Sequence, residues 1–217
     1  MIKNLFDVFT ILFLFSLFGI SHSVLASGKI KILTVKYFGS LMAFYRVAYV
    51  VVSLFLFYLV YSLSPRPDII IYSLSYPFDI VIFVLRVISL AGIIWTLKYF
   101  RIQEFLGLSQ VIRWVNKTYD PAESDERLTL MINGPYRFVR HPLYFFTIIF
   151  LAARQSVDLF YLTMLICITA YFYIGSFYEE RKLIKKFGAE YLRYQSEVPR
   201  LLPLKILKPY EPKTVIS

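Results

Sequence analysis

Arg140 and His141 stand directly before Pro142 in the stretch Gly134-Pro135-Tyr136-Arg137-Phe138-Val139-Arg140-His141-Pro142-Leu143-Tyr144, and the pair Glu179-Glu180 follows one apolar hairpin later. Two basic groups and two carboxylates at the ends of apolar runs are costly in a membrane and mark function more often than packing. Proline at a first helical turn loses no hydrogen bond. Arg140 and His141 are therefore expected at a helix N-terminus, where backbone donors and the dipole favour an anion. Carboxylates at a helix C-terminus run against the dipole. They either pair with Lys182, Lys185 and Lys186 at helical spacing, or face Arg140 and His141 across the hairpin and hold a cation or a zwitterion.

Other chemistries lack their residues. The histidines are His22 and His141 alone, and Cys167 is the one cysteine, so neither a metal site nor a disulfide framework is expected. No Gly-rich phosphate loop or dinucleotide fingerprint occurs. Ser21 and Ser23 beside His22 lie inside an apolar run and make no hydrolase. Asp7 and Arg86 are the remaining charges within such runs, open to pairing with each other or with a substrate.

The elements that must position Arg140, His141, Glu179 and Glu180 are apolar helices. The 217 residues are 58% hydrophobic and 19% aromatic, too apolar for an ordinary soluble domain. Runs at about 5–24, 44–63, 79–97 and 159–180 match the roughly 20 residues that cross a ~30 Å hydrocarbon core, and a shorter one at 141–155 fits a tilted helix closing a hairpin on the last. Lys and Arg number 1, 4, 1, 7, 1 and 9 in the successive segments between these runs, counting Arg46 at the entry to the second run and Arg154 at the hairpin turn. The alternation fits five spans, with the N-terminus outside and the C-terminus cytoplasmic. The net charge of +10 is then mostly topology, with membrane lipid rather than nucleic acid as its partner. Lys3, the first apolar run and Val24-Leu25-Ala26 imitate a signal peptide, but the run is long for one and is expected to be kept.

The expected fold is an all-α integral membrane protein. It has about five transmembrane helices, a C-terminal helical hairpin and cytoplasmic amphipathic helices, as one domain over 1–217 without internal repeats. Ile102, Phe105, Leu106, Ile112 and Val115 share one face of an interfacial segment. Thr118 to Asn133, with Asp120, Glu123, Asp125 and Glu126, reads as a polar loop. In the tail, 181–217, Leu183, Ile184, Phe187, Tyr191 and Tyr194 make one apolar stripe of a helix continuing from the last span, ended by Pro199 and Pro203.

The order Arg140-His141-Pro142-Leu143-Tyr144, then Glu179-Glu180, then Phe187-Gly188, Tyr191, Tyr194, Val198-Pro199-Arg200 and Pro203 resembles the membrane methyltransferase superfamily over about the last 85 residues. That group holds isoprenylcysteine carboxyl, phospholipid and methanethiol S-methyltransferases with NnrU-type proteins. His22-Ser23, Lys36, Tyr45-Arg46-Val47-Ala48-Tyr49 and Glu104-Phe105-Leu106-Gly107 look like the methanethiol and NnrU branch. The resemblance implies an enzyme using S-adenosylmethionine at the cytoplasmic end of the last two helices, in the plasma membrane of a prokaryote. It implies cofactor contacts from Arg140, His141, Tyr144, Glu179 and Glu180, with Tyr136 and Tyr191 lining the site. Glu180 would attract the ammonium group and Arg140 the carboxylate. The acceptor implied is a small, methanethiol-like thiol. A prenylcysteine or phospholipid acceptor, and a non-catalytic transport or assembly role, are the alternatives. A thiol acts as its thiolate, and Arg140 and Arg200 are the candidate catalytic residues that would favour it. One departure is Phe146, where the family often has glycine. A ring there is expected to narrow the pocket or the approach of a large acceptor. Oligomeric state is not legible.

Overall fold

The computed structural model describes residues 2–121, 127–203 and 209–211. Glu123, Asp125 and Glu126 of the expected polar loop, and Lys205, Lys208 and Lys213 of the tail, lie outside them. In chain order the helices are α1 (Ile2–Leu25), α2 (Gly28–Phe38), α3 (Tyr45–Leu63), α4 (Phe78–Leu97), α5 (Ile102–Leu106), α6 (Leu108–Val115), α7 (Pro142–Ala152), α8 (Leu159–Phe187) and α9 (Ala189–Glu197). Two short strands, β1 (Ile70–Ser73) and β2 (Ser156–Asp158), and 3-10 turns at Gly39–Phe44 and Gly134–Arg137 complete the described elements. The protein is of the all-α membrane type. Ile2–Leu25, Gly28–Leu63, Phe78–Leu97 and Leu159–Phe187 are long and apolar enough to cross a membrane. Their outward faces are apolar, with Phe9, Leu54, Phe83 and Ile174 all exposed.

The hairpin differs from expectation at its first limb. Helix α7 has 11 residues, and at about 1.5 Å each it is about half as long as the hydrocarbon core is thick. It stops because the chain turns into β2, which pairs antiparallel with β1 through Ile70 and Asp158, Tyr72 and Val157, and Ser73 and Ser156. Pairing between segments so far apart in the chain has no local sequence signal. Asp158 then caps α8, its side chain accepting from the Tyr161 amide at 2.7 Å.

The chain divides into two compact units. In the first, which holds α1, α2, α3, α5 and α6, a polar tie joins α1 to α3. Ser53 donates its hydroxyl to the Tyr49 carbonyl at 2.6 Å, so His22 Nδ1 donates to Ser53 Oγ at 2.8 Å. His22 Nε2 is left to accept from the Tyr49 hydroxyl at 2.6 Å. The interfacial segment is broken at Gly107, whose φ of +90° favours glycine and whose Cβ position lies 2.7 Å from the Val47 amide nitrogen. Glu104 of α5 is buried and receives both Arg113 terminal nitrogens, at 2.9 and 3.0 Å, and the Arg127 amide at 3.0 Å.

The second unit holds α4, α7, α8, α9 and both strands. Ser89, Gly92 and Thr96, spaced by three and four residues, form a buried small-residue face on α4 that packs against α7. The Phe146 ring fills it. A Cβ on Gly92 would lie 2.3 to 2.6 Å from three ring carbons. Phe146 is thus seated in α4, whereas Tyr144 two residues earlier stacks on Phe172 of α8 at 4.6 Å. The expected narrowing of the pocket is replaced by helix packing, because two helical residues differ in direction by about 200°. The tail stripe also differs from expectation. It is two helices, because Gly188 takes φ +54° and closes α8 before α9 begins. Tyr191, Tyr194, Val198 and Tyr210 form a buried cluster under Leu130, Ile132, Leu183, Ile184 and Phe187.

Candidate active site at the junction of α7, α8 and α9

The two sequence segments that carry most of the polar residues are joined through their backbones. The Arg140 amide donates to the Pro199 carbonyl at 2.9 Å, and the His141 amide to the Arg200 carbonyl at 3.1 Å. The spacing of Arg140-His141-Pro142 and Val198-Pro199-Arg200 is therefore a pairing register. The same bonds occupy two of the donors expected to face an anion at the head of α7, where His141 is the N-cap residue.

Glu180 is the centre of the cluster. It lies on the face of α8 that also carries Ser176, buried like it, one helical turn apart. Its side chain is 2% exposed, against 8% for Arg140 and 6% for His141. Oε1 accepts from Arg140 Nε at 2.8 Å, His141 Nε2 at 3.2 Å and Arg200 Nε at 3.2 Å. Oε2 accepts from Gln195 Nε2 at 2.8 Å and Arg200 Nη2 at 2.9 Å. A carboxylate this enclosed survives only when its lone pairs are taken by charged donors, and here they are. Arg140 also directs Nη1 to the carbonyls of Gln195 and Val198. The Arg200 guanidinium lies 3.5 Å over the centroid of Phe177.

Glu179 has a different setting. Its side chain is 48% exposed. Tyr144 donates its hydroxyl to Glu179 Oε2 at 3.0 Å, and His141 Nδ1 lies 3.5 Å from the same oxygen. The rings of His141, Tyr144 and Phe172 form one stack, with interplanar angles of 4° and 10°. A half-exposed carboxylate beside flat aromatic faces is an arrangement suited to a cation.

Tyr136 and Tyr191 wall the same region. Tyr194 donates its hydroxyl to the Tyr136 carbonyl at 2.6 Å. Arg137 is tied to the tail by its carbonyl, which accepts from the Tyr210 amide at 2.9 Å, and by Nε, which donates to the Tyr210 carbonyl at 2.7 Å. Burial, with the charge of Glu179 second, raises the Tyr136 phenol well above its ordinary range. Burial and then Glu180 raise that of Tyr191.

The structure thus brings Arg140, His141, Glu180 and Arg200 into contact, with Tyr144 and Glu179 joined to them through His141. Gln195 and Phe172 were missed. Gln195 carries no signal of its own, but Phe172 stands seven residues before Glu179, a spacing that puts both on one helical face. Among the described residues no group of acidic, histidine and cysteine side chains could hold a metal.

Relatives are found by sequence. The chain is 32% identical over 199 residues to methanethiol S-methyltransferase 1 of Bradyrhizobium diazoefficiens, covering 88% of this chain and 65% of that protein. It is 30% identical over 100 residues to the methanethiol S-methyltransferase of Pseudomonas deceptionensis, covering 46% and 36% of the two. Against that of Mycobacterium tuberculosis it is 32% identical over 101 residues, covering 46% and 39%. The chain spans less than two thirds of the length of these relatives. No family model and no solved structure matches it. Over 88% of its length the chain is thus similar to a protein named methanethiol S-methyltransferase, and its Arg140-His141-Pro142 and Glu179-Glu180 segments meet in one cluster.

Proposed function

We propose that the chain is an integral-membrane methyltransferase that moves a methyl group from S-adenosylmethionine to a small thiol, at a site on the cytoplasmic side. The observation that carries this reading is the single ion cluster made by Arg140-His141 and Glu180, in a chain similar over 88% of its length to a methanethiol S-methyltransferase.

The residues fit the cofactor by charge. S-adenosylmethionine supplies a methyl group activated on a sulfonium cation, together with a zwitterionic amino-acid end. Glu179, half exposed beside the Tyr144 and Phe172 rings, takes the cationic partner in this reading. Glu180, enclosed by five donors, holds Arg140, His141 and Arg200 in place. The role toward an ammonium group expected of Glu180 thus passes to Glu179 on grounds of exposure. Tyr136 and Tyr191 enclose the reacting space. Methyl transfer to sulfur is an in-line displacement, so alignment and exclusion of water by these side chains supply most of the rate. The alternation of basic loops supports the cytoplasmic assignment.

The direct test is transfer of labelled methyl by the purified chain to methanethiol, a prenylcysteine and a phospholipid, with cofactor binding followed by calorimetry. Transfer to the thiol alone is expected. Absence of transfer to all three acceptors, with no cofactor binding, rejects the reading.

A further inference from the structure

Arg86 is a charge inside an apolar span. It stands eight residues after Phe78 and eleven before Leu97 in α4, a helix long and apolar enough to cross a membrane. At about 1.5 Å per residue it lies about 12 Å from the Phe78 end. Its side chain is exposed, and its exposed neighbours Phe83, Val87 and Leu90 are apolar. No carboxylate among the described residues pairs with it. The guanidinium lies instead 4.8 Å over the centroid of the Phe150 ring of α7. An arginine set among apolar side chains without a counter-charge is costly, and by default it marks a site.

The packing of α4 on α7 explains the exposure. The two helices run antiparallel, with Gly92 against Phe146 and Arg86 against Phe150. Ser89, Gly92 and Thr96 are the buried row of α4, and Arg86 continues that row by one turn toward Phe78. The row opens there because α7 stops at Ala152, two residues past Phe150. Arg154, Gln155 and Ser156, all exposed, follow. Four residues, about 6 Å at helical rise, separate Phe150 from Arg154. On the α7 side the apolar layer beside Arg86 is therefore cut short. The arginine stem leans toward the Phe78 end, as helical side chains do, and carries the charge toward that nearby polar boundary.

We propose that Arg86, backed by the Phe150 ring, binds the phosphate of a membrane phospholipid in the leaflet that faces away from the Arg140–Glu180 cluster. A guanidinium presents a planar fork of donors that matches phosphate oxygens. Its flat contact with Phe150 leaves the edge of that fork open to them. The protein supplies no carboxylate here, so the counter-charge comes with the ligand. Arg86 is nearer the Phe78 end of α4 than the Leu97 end, and α7 begins beside the cluster at Pro142, which together fix the leaflet. Exposed Phe83 and Leu90 on either side of Arg86 give acyl chains a surface that a soluble anion does not use. A headgroup held at this depth lets the bilayer thin beside the 11 residues of α7. The site serves lipid contact and does not rest on methyl transfer.

Depth-resolved quenching of an indole beside Arg86 tests this. Phe150→Trp is made in the full chain together with Trp95→Phe and Trp114→Phe, which remove both native indoles. The protein is placed at one chain per nanodisc in phosphatidylglycerol and phosphatidylcholine containing spin-labelled lipid. A label on the headgroup is expected to quench the new indole at least about twofold more than a label deep on the acyl chain, because a phosphate on Arg86 brings the headgroup to it. Arg86→Leu should reverse that order and Arg86→Lys should keep it. In the otherwise unaltered chain, native mass spectrometry should show Arg86→Leu retaining phosphatidylglycerol roughly tenfold less, and diacylglycerol, which lacks the phosphate, equally. The same order of quenching with and without Arg86, or equal retention of phosphatidylglycerol, overturns the proposal. So does headgroup quenching abolished by inorganic phosphate, which would mark a soluble anion. Headgroup quenching seen only with two chains per disc overturns it as well, and assigns Arg86 to a second copy.

Discussion

Glu179 and Glu180 are neighbours on α8, yet Glu180 is 2% exposed and Glu179 48%. Consecutive helical residues point about 100° apart, enough here to turn one carboxylate into the packed junction with α9 and to leave the other beside the Tyr144 ring. Their removal should therefore have different consequences. Glu180→Ala leaves Arg140 and Arg200 without their carboxylate and is expected to destabilise by about 3–5 kcal/mol. Glu179→Gln should change stability by no more than about 0.5 kcal/mol while weakening cofactor binding about tenfold. Thermal unfolding in detergent and calorimetry read the two effects separately. Equal destabilisation by both would show that Glu179 is structural too.

The seat of Phe146 on Gly92 can be tested by reciprocal substitution. A Cβ at Gly92 would come within 2.3 Å of the ring. Gly92→Ala should cost about 1–3 kcal/mol by overpacking, and Phe146→Ala about 3–5 kcal/mol by leaving a cavity. The double variant should be less destabilised than the sum, since each change relieves the other. Strict additivity in thermal unfolding would mean that ring and glycine do not share the space.

Glu104 predicts an acid dependence for the first unit. Burial alone would raise its pKa, but the Arg113 hydrogen bonds, the Arg127 amide, the Arg113 charge and Ser109 outweigh it and bring the group from 4.5 to about 2. The folded form thus holds the proton less tightly than the unfolded chain. Its contribution is present above pH 4.5 and disappears as pH falls from 4.5 toward about 2. Unfolding followed across that window should be flatter for Glu104→Gln than for the unaltered chain.

His22 ties α1 to α3 through Ser53 and Tyr49. Hydrogen bonds between membrane helices average about 0.6 and reach about 1.7 kcal/mol. His22→Phe is expected to cost about 1–2 kcal/mol, and a double-mutant cycle with Tyr49→Phe should return a coupling near 1 kcal/mol. A coupling of zero would remove this tie from the account of unit packing.

The apolar runs near 5–24, 44–63, 79–97 and 159–180 were legible because a helix in lipid needs about 20 apolar residues in sequence, a local requirement. Arg140, His141, Glu179 and Glu180 were legible because charge at such boundaries is costly, and Phe187-Gly188 through Val198-Pro199-Arg200 because their order resembles a known family. The break at Gly188 was within reach of the helix-ending role of glycine. Other features depend on residues far apart in the chain. The pairing of β1 with β2 shortens α7, and the amides of Arg140 and His141 are taken by Pro199 and Arg200. Gln195 completes the shell of Glu180 from another helix. Sequence determined which residue types stand at the ends of which helices, because periodicity and hydrophobic length act over a few turns. Only the tertiary structure decided that Glu180 is sealed while Glu179 stays open, because burial depends on the elements that happen to pack against each side of α8.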